Sequence, residues 1–506
     1  MTEGFTLDGL KREAKLLQKA HKAGDHQAEL HMRQWLGDKR DLKLADFLHA
    51  VARERGFQSW PKLKIAVEAD GLDLAEARER LGRSLYFGSQ IWVERLLERY
   101  RDLAKGHFGL ACALYDVSAV EAILTEDPGL ATTPQGIRRP ILHVCFSQYH
   151  RMAPSKAEDA VQVARLLLAA DADPNDGFPA EPGEEHLLSA LYGASGHSCH
   201  MGLTQLLLEA GADPNDNESL YHATEQRDLK ALTLLLEHGA RPEGTNAPFR
   251  AMDFDDLRAV EMMLDVGWDP NEGVSHHPSG PAAVGLSVMH HAAQRLCGPQ
   301  MFELLAARGA RLDVTRNGLG AYALALLYGN EEGAEALARL GAPTEVPEAL
   351  TQLLAGDGPV DPARLPEEAR DLASELAGIT EALPRLDKFI ASGLEWDRPN
   401  RMGMTPVQAA GWWGLPENMA FFLKLKPDLS HINGYGGTLL STIIHGSENA
   451  PEVANQDYIA CLELALREGV ALPRPAIRHA GREDVLAFLE DWAERYPGQV
   501  VAHGIA

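Results

Sequence analysis

The stretch LLLEAGADPNDN, residues 206–217, ends an apolar helical run with a glycine and follows it three positions later with a proline. Glycine supplies the left-handed residue on which helices stop, and proline cannot continue one. The phrase recurs as LLLAADADPNDG at 166–177, LLLEHGARPEG at 234–244, MLDVGWDPNEG at 263–273, LLAARGARLDV at 304–314 and ALARLGAPTEV at 336–346. The residues after the stop (Ala172, Ala212, Ala240, Trp268, Ala310 and Ala342) are spaced by 28 to 42 residues, on either side of a period of about 33. Insertions explain the longer intervals: FPAEPGEEH at 178–186 and NEGVSHHPSGPAAVG at 271–285 are polar or rich in Gly and Pro.

Further short runs of small and apolar residues at helical spacing recur: RPILHVCF (139–146), SLYHATEQ (219–226), SVMHHAAQ (287–294), AYALALLYGN (321–330) and TPVQAAGWWG (405–414). Each is followed by a break, so the unit reads as two antiparallel helices. On these residues the chain resembles the ankyrin-repeat proteins, whose unit runs T-P-L-H-x-A-A-x-x-G-H into a second helix ending L-L-L-x-x-G-A-D-P-N. The resemblance implies an all-α solenoid of stacked helix-turn-helix units. Weaker copies at 73–104, 105–130, 365–395, 434–470 and 472–495 bring the count to about eleven or twelve degenerate repeats.

The expected organisation is an N-terminal helical module at 1–70, a first arm at 73–342, a second arm at 365–495 and a tail at 496–506. Residues 343–364 are either a degenerate repeat or a break. The first module predicts helices at 6–22, 25–36 and 41–55, then another beginning near Ser59 and Pro61. Its segment ERGFQSWPKLK is similar to a short region that precedes the array in some bacterial members, and a cap on the stack is its expected role.

Composition narrows the function. A hydrophobic share of 45% and a charged share of 24% are globular values. Seventy-three acidic against forty-eight basic residues leave a net charge of −25, which repels nucleic-acid phosphates and anionic lipid. Neither nucleic acid nor membrane is an expected partner. The first 65 residues, at +4, are the exception. No apolar run approaches the roughly 18 residues that span a bilayer and the opening is not a signal peptide, so a cytoplasmic location is expected. Five scattered cysteines fit reduced thiols.

GHSCH at 196–200 raises the question of a metal. By the resemblance, Gly196 and His197 occupy the Gly-His between the two helices, and SCHMG is an insertion. A structural zinc takes four converging ligands, usually in two spaced pairs. GHSCH offers three neighbours and no second cluster, so no metal and no cofactor are expected. His143 and His290 are expected to bond loop backbone, and His276 and His277 to be solvated. There is no G-x-S-x-G, H-E-x-x-H, Walker or dinucleotide motif. GYGGT at 434–438 reads as a turn, and Asp255, Asp256, Glu331 and Glu332 as charges at helix starts.

In the ankyrin family the first helices form a concave groove, and the two positions before the glycine face it. The resemblance therefore implies groove positions at Trp412 and Trp413, Leu327 and Tyr328, and Glu225 and Gln226. Consecutive helical residues diverge by about 100°, so the two tryptophans cannot both face a core. They are the expected anchors, ringed by acidic groups that favour a partner with a basic patch. The leading expectation is a non-catalytic scaffold that binds another protein. The alternative is a metal-dependent enzyme. Its site would lie at the junction of module and array or in the insertions 146–160, 178–186 and 271–285, with His150, His186, His197, His200, His276 and His277.

Overall fold

The computed structural model describes residues 6–37, 39, 42, 44–180, 186–276, 285–450 and 453–502. The fold is all-α apart from three two-stranded pieces among these residues. It forms two compact units, Met1–Ala240 and Arg241–Ala506.

The first unit opens with helices Leu7–Lys22, His26–Leu36, Leu44–Glu54 and Trp60–Asp70. Thr6, Asp25 and Ser59 cap three of them by accepting from backbone N–H groups of the first turn. Leu10, Ala14, Met32, Phe47, Val51 and Leu63 meet in their core. The fourth helix packs on Gln90–Arg99, which joins this module to the helix pairs that follow.

From Leu74 onward the chain runs as pairs, a first helix then a second. In the first unit the pairs are Leu74–Phe87 with Gln90–Arg99, Phe108–Ala113 with Val117–Glu126, and Pro140–Cys145 with Ala157–Ala169. Ala190–Tyr192, continued by a π turn, then pairs with Met201–Glu209, and Ser219–Ala223 with Lys230–Glu237. The second unit begins with Ala247–Asp253 and Leu257–Asp265, Val288–Gln294 and Pro299–Ala307, and Ala321–Tyr328 and Glu331–Leu340. It continues with Leu372–Leu376 and Leu383–Ala391, Pro406–Trp412 and Pro416–Lys424, Leu439–Asn449 and Tyr458–Arg467, and Arg474–His479 and Glu483–Arg495. Within each unit, first helices pack on first helices of the next pair and second on second, as in Val288–Gln294 on Ala321–Tyr328 and Pro299–Ala307 on Glu331–Leu340.

The repeated stop has one geometry. The N–H groups of Ala172, Ala212, Ala240, Trp268, Ala310 and Ala342 bond the carbonyls of Leu167, Leu207, Leu235, Met263, Leu305 and Leu337 at 2.9–3.2 Å. The residue before each is left-handed: a glycine in five cases, and Asp171 with φ 65° in the sixth. All six residues after the stop are buried, which is why small side chains recur there. The D-P-N that follows links neighbouring pairs. Asn175 reaches Gly211 O at 3.1 Å and Asn271 reaches Gly309 O at 3.0 Å, while their Oδ1 atoms accept from Asp213 N and Arg311 N.

First helices end the same way. Asp116, Asp256, Cys297, Asn330 and Leu415 donate to the carbonyl five residues back at 2.8–3.0 Å. In the GHSCH pair His200 N instead reaches Ala194 O, six back, at 2.7 Å, and Gly193–His197 is a π turn. The insertion expected at SCHMG is therefore a single residue, absorbed by widening one helical turn.

Hairpins precede several first helices, at Gly177–Pro179 with Leu187–Ser189 and at Thr315–Arg316 with Leu319–Gly320. Residues 343–364 hold one helix, Glu348–Ala355, stopped by left-handed Gly356. The irregular segment that follows is held by Val360 N donating to Ser392 O at 2.7 Å. Residues 496–502 fold back: Val500–Val501 pairs with Leu472–Pro473, and Gln499 Nε2 donates to Leu466 O and Val470 O.

Candidate functional site

The GHSCH side chains are committed to backbone. His197 Nε2 lies 2.8 Å from Tyr86 O, and Cys199 Sγ lies 3.2 Å from Gly196 O. His200 Nδ1 accepts from Leu203 N, so its Nε2 is the donor to Ala157 O at 3.0 Å. Burial holds His197 down at about 4, so its ring is neutral. Among the described residues, no group of three His, Cys, Asp or Glu side chains is placed to hold a metal ion. His186 pairs with Glu218 at 2.6 Å, His276 is exposed, and His277 lies outside the described residues. His143 and His290 bond the hairpin carbonyls of Gln135 and Leu319, each at 3.0 Å.

The six groove positions fare differently. Leu327 and Tyr328 are buried and cannot present a surface. Their first helix is covered by its neighbour, so the two positions before the glycine turn inward there. Trp412 and Trp413 are both half-buried: Trp412 meets His445 at a 49° tilt with centroids 5.2 Å apart, and Trp413 lies against Gly378. Gln226 donates to Ser195 O of the preceding pair. Glu225 is exposed and pairs with His222 at 2.9 Å.

Applied to the pairs passed over in the sequence, the same register gives Asp253 and Arg295, the centre of a charged face on the second unit. Asp253 lies 2.8 Å from Arg295, 3.0 Å from His291 and 3.1 Å from Arg250. Burial alone would raise its pKa, but the Arg295 and Arg250 guanidinium groups and the His291 hydrogen bond hold it well below the usual carboxylate range. Glu368 is compensated similarly by Arg401 at 2.9 Å and Arg316 at 3.5 Å. Asp371 and Glu375, one helical turn apart, make no ion pair among the described residues. Burial and the neighbouring Glu375 charge push Asp371 up to about 7, and burial raises Glu375 as well.

On the first unit the corresponding face is aromatic. The rings of Tyr86 and Phe146 stack at 5.7 Å, and Phe146 meets Phe178, Tyr192 and His197 at 5.0, 5.9 and 5.3 Å. The Arg138 guanidinium sits 4.2 Å from the Tyr86 centroid and 4.3 Å from that of Phe178. Beyond it His222 bridges Glu218 and Glu225 at 3.0 and 2.9 Å. Burial opposes its charge, yet those bonds win and raise it to about 9.

No protein-family model matches this chain, and no curated protein matches it either. Among the described residues no helix is long and apolar enough to cross a membrane. The site chemistry therefore has to be read from the two faces. One holds carboxyl groups that make no ion pair of their own among the described residues, and the other an arginine among rings.

Proposed function

We propose that this protein is a non-catalytic, ankyrin-type helical-repeat scaffold, and that the first-helix face of its second unit binds a basic segment of another protein. The observation carrying the proposal is the pair Asp371 and Glu375, which makes no ion pair of its own among the described residues, beside the closed pairs of Arg295 with Asp253 and Arg401 with Glu368. Burial raises both carboxyl groups, and the Glu375 charge raises Asp371 further, so an added cation beside them is favoured. A lysine or arginine from the partner supplies that charge, and helical repeats offer extended surfaces for such contacts.

The test is affinity capture from lysate of the source cell on the full chain and on an Asp371→Asn/Glu375→Gln variant, followed by titration of the captured protein. The partner should be held by the wild type and lose about tenfold or more in affinity with the variant. Its affinity should also rise as pH climbs through about 7, because the cation favours the ionised form of Asp371. Equal affinity of both proteins, or a flat pH profile, would remove the second-unit face from the interface.

A further inference from the structure

Arg83, Arg138 and Arg151 are among the first-unit arginines that pair with no carboxylate among the described residues. Arg151 bonds the side-chain amide of Gln148, and Arg83 lies over the Phe87 ring at 5.7 Å. Arg138 is the best defined. Tyr86 and Phe178 lie over its guanidinium, Phe146 stands 5.7 Å away, and its buried Nε has no hydrogen-bond partner.

Nearby rings do not neutralise it. His143 and His197 are both held toward the uncharged form by burial, and Tyr86 is pushed up by burial too, so none supplies a negative charge. The next residue, Arg139, meets Asp176 at 2.8 Å, so a carboxylate partner is available one position away and is not used by Arg138. Stacking orients a planar fork whose unused groups are N–H donors along its edge, the geometry that takes a carboxylate in two bonds. Two of the most exposed large apolar side chains belong to the same neighbourhood: Ile137, its chain neighbour, at 79%, and Phe87, whose ring meets that of Tyr86 at 4.9 Å, at 64%. Exposed apolar residues around a stacked, unpaired arginine make a surface with an anion-binding centre.

We propose that Arg138 is the receptor for an acidic side chain of a partner peptide, seated against Tyr86, Phe178 and the exposed Phe87 and Ile137. This inference rests on the scaffold reading and adds a second contact of opposite charge preference, on the first unit rather than the second.

The experiment pans a random peptide library, made with amidated C-termini, against the full chain. Each enriched peptide that contains Asp or Glu is then titrated in both its acidic and amide forms against wild type, Arg138→Gln and Arg138→Lys, with helical circular dichroism as the folding control. The expected result is a loss of about ten- to a hundredfold on changing either Arg138 to Gln or the peptide Glu to Gln, with little further loss when both are changed. Arg138→Lys keeps the charge but not the fork and should lose about tenfold. Additive losses, or enriched peptides that bind Arg138→Gln as well as wild type, overturn the acidic-anchor assignment while leaving the scaffold reading intact. Displacement of the peptide by millimolar inorganic phosphate reassigns the site to a phosphoryl group and overturns it too. If no peptide is enriched, the scaffold reading falls with it.

Discussion

His197 and His222 sit in adjacent helix pairs and are held in opposite charge states. Burial keeps His197 near 4, while the carboxylates of Glu218 and Glu225 raise His222 to about 9. His222 binds its proton more tightly when folded, so its contribution is complete below the unfolded value of about 6.5 and is lost as pH rises through about 9. His197 acts in the other direction: its contribution is present above about 6.5 and is lost as pH falls toward 4. Each is expected to be worth on the order of 2 kcal/mol. Denaturant unfolding across this range should show His222→Gln flattening the alkaline fall and His197→Gln flattening the acid one; unchanged slopes in both variants would refute the assignment. Neither behaviour was legible in sequence. The resemblance puts His197 between two helices, but its partner, Tyr86 O, lies in the last turn of helix Leu74–Phe87, 111 positions away. The ring cluster around Arg138 was equally hidden, because a helix residue, Tyr86, a helix C-cap, Phe146, and a hairpin residue, Phe178, meet only once the successive pairs are packed.

Individual helices were easier to read than their faces. The stop in LLLEAGADPND is written into a glycine, a small residue and a proline, and the structure repeats its hydrogen bond at every copy of the phrase. Which side of a first helix lies against the next helix depends on the neighbour, so the register that pointed outward to Leu327 and Tyr328 led inward. Close helix contact explains one further choice. A Cβ on Gly446 of Leu439–Asn449 would stand 2.1 Å from Trp412 O, a backbone atom that cannot rotate away. Gly446→Ala should therefore destabilise the second unit by about 1–3 kcal/mol despite alanine's better helix propensity. Gly320→Ala, with nothing within 4 Å of its new methyl, should cost little and serves as the control. Equal unfolding midpoints for the two variants would mean that the helices around Trp412 are not packed this closely.

At the scale of the whole molecule the dominant fact is charge. The acidic residues outnumber the basic ones by twenty-five, and many ion pairs are solvent-exposed, such as Arg311 with Asp313 and Arg339 with Glu303. Exposed pairs contribute about 0–1 kcal/mol each, whereas the surplus acids repel one another across the surface and oppose compaction. Salt at about 0.1 M screens charges more than roughly 10 Å apart and leaves the buried Asp253 network largely intact. The melting temperature at pH 8 is therefore expected to rise as potassium chloride is raised from about 0.01 to 0.3 M, the range over which the screening length shrinks severalfold. Binding of a basic partner should weaken over the same range, because the attraction that draws it in is screened as well. A melting temperature that falls with added salt would show that favourable ion pairs, not repulsion, govern the stability. The acidic surplus would then have to be explained by the partner alone.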